Sequence, residues 1–197
     1  MTRRASAAAQ TRQRIIDATR ELHGEQGIAQ TSWDDIAARA GVGVGTVYRH
    51  FPSLDELVPA CGAVSMQILA APAPEDVPSL FEGADAAAER IERLVREAFA
   101  IYERGAPQVR AMRNEPEIHP SVAEAGAELE ASLTALVEAA LEPSGATPAD
   151  RAVVRAMVDL DTWQALRDQG LGTAEAVEAV SQMLAARVGP SASSRAE

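Results

Sequence analysis

Between Thr31 and Pro52 the chain holds two apolar-periodic stretches, each too short to stand alone, and this pair constrains the fold more than any other feature. The first is Thr31-Ser-Trp-Asp-Asp-Ile-Ala-Ala-Arg-Ala-Gly41: Ser32 and Asp35 have capping-box spacing, Ile36 and Ala40 share a face, and Gly41 is a stop. The second, Gly43-Val-Gly-Thr-Val-Tyr-Arg-His-Phe51, is closed by Pro52, which pushes Phe51 toward extended geometry. Helices of about two turns are marginal in water by themselves. The pair must therefore pool Ile36, Ala40, Val42, Val47 and Phe51 in one small core, leaving the outer edge of the second helix free. Two short helices joined by a tight Gly-containing turn are the ingredients of a helix-turn-helix, whose second helix enters a major groove.

Elsewhere the periodicity is helical throughout and no alternating strand pattern stands out, so the expected class is all-α. A first helix is expected from about Ala8 to His23, with Ile15, Ala18 and Leu22 on one face and Gly27 behind it. Ser53 and Glu56 repeat the capping-box spacing and open a fourth helix in which Pro59 predicts a kink or a late start. Pro72 to Pro78 reads as a linker. Further helices are expected over about Asp85–Glu103, with breaks near Pro107 and Pro116 to Pro120, over Ser121–Leu141, from a Thr147 cap to about Gln169, and over Thr173–Arg187. The division read from this pattern is a three-helix reader over 1–54, a larger helical body over 55–188 and a disordered tail over 189–197.

Composition sorts the functional classes. The net charge of −11 looks adverse to nucleic acid, but residues 1–54 carry seven arginines against five acids, a net of +2 that leaves −13 for the rest. A basic head on an acidic body suits contact with phosphates at one end only, although solubilising charge would explain the body as well. Lysine is absent, so every phosphate cation must be Arg or protonated His. The single Cys61 has no intrachain disulfide partner, and with nothing basic beside it in sequence it reads as a packed thiol without a redox role. The expected compartment is the cytoplasm, with no secretion signal. Leu57 to Pro74 is free of charge over 18 residues, yet its prolines and polar residues favour a buried helix over a membrane span. No nucleophile elbow, phosphate loop or metal-spaced cluster occurs, and the three histidines are scattered at 23, 50 and 119, so neither an enzyme nor a cofactor is expected.

Gly41, Val42, Gly45, Thr46, Tyr48, His50 and Phe51 together resemble the reader motif of the TetR family of regulators, Gly-Val-x-x-Gly-Thr-x-Tyr-x-His-Phe, and Asp34-Asp-Ile-Ala-Ala-Arg-Ala resembles the preceding helix. The resemblance implies that Thr46 and Tyr48 hold phosphates, that His50 clamps the backbone, and that Val44 and Arg49 face bases. Gly43 and Gly45 would let the helix approach closely, Ser32 and Trp33 would join at the first helix's start, and Arg3, Arg4 and Arg12 would add arm contacts. Tyr48 as partial core, Arg49 on phosphate only and His50 as a simple cap remain alternatives. Leu54 stands where the family usually has Lys, which implies a flatter salt dependence. His23 replaces a common aromatic and is read as a packed histidine.

The resemblance extends more loosely to the body. It implies a homodimer through the last two helices, with Val154, Met157, Val158, Val177, Val180, Met183 and Leu184 as candidates, some of them serving the monomer's own core. It also implies an effector pocket for which Met66, Leu69, Phe99, Tyr102, Met112 and Trp163 are candidates, suited to an apolar or amphipathic small molecule. Arg110, Arg113 and His119 could meet an acidic group of the effector, but are read as solvated or loop residues. The expected function is a repressor that binds a palindromic duplex operator and is released by its effector. The rival reading is a ligand-binding protein with a degenerate reader, supported by Leu54 and the lysine-free head.

Overall fold

The computed structural model describes residues 3–188, with side chains from Ala5 onward. The described residues form helices α1 (Arg3–Gln26), α2 (Trp33–Ala40), α3 (Val44–His50), α4 (Leu54–Leu69), α5 (Ala87–Asn114), α6 (Pro120–Leu141), α7 (Pro148–Met157), α8 (Leu160–Asp168) and α9 (Thr173–Val188). No strand occurs among them. Residues 189–197, expected to be a disordered tail, lie outside the described residues.

Several boundaries differ from expectation for identifiable reasons. The break expected near Pro107 is absorbed at Gly105, whose φ of −167° and ψ of 42° leave the helical region within α5. The helix then resumes with Pro107 in its first turn, where a missing N–H costs little. Gly105 is required there by close approach, since a Cβ would lie 2.7 Å from Leu69 Cδ2. The single helix expected up to Gln169 is two helices, because Asp159 takes extended backbone and its carboxylate accepts from the Asp161 N–H, starting α8. In the expected linker, residues 77–81 wind into a 3₁₀ turn that buries Val77 and Phe81. α4 begins at Leu54 with Pro59 inside it, so no late start occurs, and Ser53 makes no side-chain cap. The capping boxes at Ser32/Asp35 and Thr147/Asp150 are formed as their spacing predicts.

Packing divides the chain into two units. The first comprises the described residues up to Ala70 with Gly105–Glu128. Its core pools Ile15, Ile16, Ala18 and Leu22 of α1 with Ile36, Ala37 and Ala40 of α2, Val47 and Phe51 around α3, and Leu57 and Cys61 of α4. Val47 and Phe51 are wholly buried and Val42 packs at the margin. At about 1.5–3 kcal/mol per large apolar side chain removed from water, this shared core supplies what neither short helix could.

The second unit comprises Ala71–Arg104 with the described residues from Leu129 onward. Ile91, Leu94, Val95, Ala98, Phe99 and Tyr102 of α5 are buried there, as are Leu133 and Leu136 of α6 and Val180 and Leu184 of α9. Arg90 organises one end of it. Its guanidinium donates to the Phe81 and Ala84 carbonyls at 3.3 and 3.1 Å and to the Ala139 and Ala140 carbonyls at 2.5 and 3.4 Å, while lying over the Phe81 ring. A cation on the last carbonyls of α6 also opposes the negative end of that helix dipole.

Candidate nucleic-acid interface

The apolar stripe of α3 fixes which of its residues face outward. Val47 is fully buried, so Val44, Gly45, Tyr48 and Arg49 are turned to solvent, with Val44 37% and Tyr48 46% exposed. These are large apolar and aromatic surfaces left uncovered on a helix whose other face is core, which marks them for contact. The Tyr48 ring is held by the Trp33 ring, with centroids 4.9 Å apart and planes tilted by 32°. Arg49 Nη2 donates to Thr46 Oγ1 at 3.4 Å, so the two side chains expected to meet base and phosphate share one exposed edge. Gly43 takes extended backbone as the N-cap of α3, and no atom lies within 4 Å of where a Cβ on Gly43 or Gly45 would sit. That open ground allows a backbone to approach.

Around this edge the other candidates are sorted by their partners. The Arg12 guanidinium lies 4.6 Å over the centre of the Phe51 ring, which fixes a cation beside the end of α3. His50 is half-buried in the last turn of α3. Ser32 is engaged in its cap: its Oγ donates to Asp35 Oδ2 at 2.6 Å and accepts from the Asp35 N–H at 3.1 Å. Those bonds from Ser32 hold the Asp35 carboxyl below the usual carboxylate range. Arg39 is committed to α1, with Nη1 3.2 Å from Glu21 and Nη2 2.7 Å from Glu25, so one of the seven arginines in the head is neutralised within the fold. The side chains of Arg3 and Arg4 lie outside the described residues. Leu54 is 53% exposed at the start of α4.

Beneath the reader, Arg20, His23, Val58, Cys61, Ser65 and Met112 are among the residues lining a cavity of about 40 Å³. Burial lowers the His23 pKa to about 4 against the opposing pull of the Glu115 carboxylate, so the ring is neutral at physiological pH. Burial likewise pushes the Cys61 thiol up to about 12, which removes its thiolate chemistry.

The expected effector residues fall in both units. Met66 is half-buried on α4, Leu69 lies beneath Gly105, and Met112 lines the cavity. In the second unit Phe99, Tyr102 and Trp163 are buried, with the Tyr102 and Trp163 rings 6.1 Å apart and Tyr102 donating to the Val158 carbonyl at 3.1 Å. Of the expected dimer residues, Val154, Val158, Val177, Val180 and Leu184 are buried within the second unit, Met157 is half-buried and Met183 is 53% exposed. Among the described residues there is no group of three His, Cys, Asp or Glu able to hold a metal ion. No helix among them is long and apolar enough to cross a membrane.

A two-turn helix presented edge-on over a pooled core, with Arg49 and Tyr48 outward, is the geometry of a helix-turn-helix. Residues 15–61 match the family model described as bacterial regulatory proteins, tetR family. Over 56 residues, 28% of this chain and 26% of the relative, it is 46% identical to the HTH-type transcriptional regulator SrpR of Pseudomonas putida. The match spans less than half the length of that relative and of TtgW, also of Pseudomonas putida. The fold is also similar to that of the transcriptional regulator FadR from Bacillus subtilis in complex with stearoyl-CoA, at 18% identity and TM-score 0.58, covering 87% of this chain and 96% of that one. The ketosteroid transcriptional regulator KstR2 of Mycobacterium tuberculosis is similar at 20% identity and TM-score 0.60, covering 90% and 93%. At these identities the likeness is one of fold.

Proposed function

We propose that this chain is a TetR-family regulator, a repressor that binds a palindromic operator as a homodimer and is released by a small apolar or amphipathic effector. The observation that carries the DNA-binding part is the exposed edge of α3, with Val44, Tyr48 and Arg49 uncovered over the fully buried Val47. In this reading Arg49 addresses base edges, and Thr46, Tyr48, His50 and Arg12 address the backbone, with Arg3 and Arg4 as an arm. Domains follow as a reader over 1–54 and a ligand-binding and dimerisation body over 55–188. Two readers would engage successive major grooves about 34–36 Å apart.

For the effector, support comes from the second unit. Trp163 Nε1 is buried without a hydrogen-bond partner, beside the Tyr102 ring. A buried orphan donor is costly, and a ligand oxygen would satisfy it. This fits an amphipathic molecule with an acceptor group, a chemistry that the stearoyl-CoA bound to one structural relative also carries. Phe99, Tyr102 and Trp163 are packed shut, so entry requires repacking and a shift between two states, and ligand and DNA would weaken each other reciprocally. The test is selection of duplexes from random DNA followed by titration of acyl and steroid compounds against the bound fragment. A two-fold symmetric consensus released by one such class is the expected result; tight binding that no compound releases points to a constitutive regulator, and no selection at low salt removes the DNA reading.

A further inference from the structure

The turn joining α5 to α6, Glu115-Pro-Glu-Ile-His119, holds both ends of the reader. The Glu115 carboxylate accepts the backbone N–H of Ile28 at 3.1 Å through Oε1 and that of Ala29 at 2.6 Å through Oε2. These two amides lie in the loop between α1 and α2, 87 and 86 residues away in sequence. Four residues on, His119 Nε2 lies 3.2 Å from Asp55 Oδ1 in the first turn of α4, and its Nδ1 is 2.8 Å from Ser121 Oγ. One short turn thus grips the entrance to α2 and the exit from α3, and all these residues lie within the first unit. Gly27 is built to admit the grip: its φ is +91°, and a Cβ there would stand 2.5 Å from Glu115 Oε1.

We propose that Glu115 and His119 are positioning residues for DNA recognition, a clasp that sets the attitude of α2 and α3 against the duplex without touching it. The inference rests on the DNA-binding reading above. The carboxylate is suited to this role because its two oxygens satisfy two consecutive backbone donors at once, fixing the loop in orientation as well as position. A loop pinned by one bond could still rotate about it, and a small tilt of α3 would carry Arg49 out of reach of its base edge, since base contacts tolerate little displacement whereas diffuse phosphate attraction tolerates much.

Glu115→Gln tests it in the full chain. The substitution keeps the shape and one acceptor oxygen but turns an N–H donor toward a backbone N–H. Amide exchange at Ile28 and Ala29, followed by NMR without DNA, is expected to accelerate about tenfold while core amides such as that of Val47 keep their protection. On the duplex selected by the wild-type protein, affinity is expected to fall about five- to tenfold, with affinity for unrelated duplex unchanged at the same salt. Gly27→Ala should reproduce both effects with Glu115 intact, and Asp55→Asn should reproduce a smaller loss of affinity. Unchanged exchange at residues 28 and 29 overturns the clasp. So does an equal loss on both duplexes, or a loss of protection across the whole core, either of which marks Glu115 as merely structural. If the wild-type protein discriminates no duplex, the DNA-binding reading fails, and the exchange result still judges the grip by itself.

Discussion

Arg49 and His23 show how one side chain's surroundings decide what it can do. Arg49 is exposed and bonded to Thr46 within its own helix, so its guanidinium is available to a guanine edge. Arg49→Ala is expected to cost about 1–3 kcal/mol of binding to the selected operator while leaving thermal stability nearly unchanged, as read by fluorescence anisotropy and a melting curve. His23 faces the opposite way. Its folded pKa of about 4 lies below the ordinary value of 6.5, so on acidification the unfolded chain takes up the proton first. Its contribution therefore makes stability fall as pH drops from about 6.5 toward 4, by about 2 kcal/mol at pH 5. Urea unfolding of wild type and His23→Gln at pH 7 and pH 5 measures this: the variant should lose less on acidification, and parallel losses would contradict the assignment. The resemblance marks His23 as packed because it replaces a common aromatic, but the carboxylate that partly offsets its burial comes from Glu115, far along the chain.

Individual helices were legible where their signals are local. Ser32/Asp35 and Thr147/Asp150 form their boxes because cap and partner are three residues apart and need nothing else. Ser32→Ala is expected to cost about 1 kcal/mol, read by chemical denaturation. Ser53 and Glu56 have the same spacing and form no side-chain cap. The α5 break moved from Pro107 to Gly105 for a reason no local window contains, the close approach of Leu69. The α7–α8 break went unread although its signal is local, since Asp159 is a good N-cap residue within an otherwise continuous helical pattern. Arg90 is the element-scale feature least visible in sequence, because its four carbonyl partners lie 6 to 50 residues away. Arg90→Ala leaves the Ala139 and Ala140 carbonyls without that donor and is expected to destabilise the fold by about 2 kcal/mol or more in denaturant titration.

At the scale of the molecule, charge and exposed surface carry the remaining expectations. With no lysine in the chain and Arg39 held by Glu21 and Glu25, few cations remain for phosphates. The logarithm of operator affinity should accordingly fall only gently with the logarithm of salt, a slope that Leu54→Lys is expected to steepen by about one unit per reader. Met183 is the most exposed large apolar side chain on α9, while Val180 and Leu184 on the same helix are buried in its own unit. Met183→Glu is therefore expected to weaken self-association, shifting the sedimentation profile toward monomer; an unchanged profile would move the dimer contact elsewhere. The helical class and the two paired short helices between Ser32 and Phe51 follow from periodicity and from glycines and prolines at fixed offsets, since those signals act within a few residues. The clasp from Glu115 and His119, the neutralisation of Arg39 and the closure of Phe99, Tyr102 and Trp163 depend on partners brought together from distant stretches. Periodicity tells a residue which way to face, but only packing tells it what it will meet.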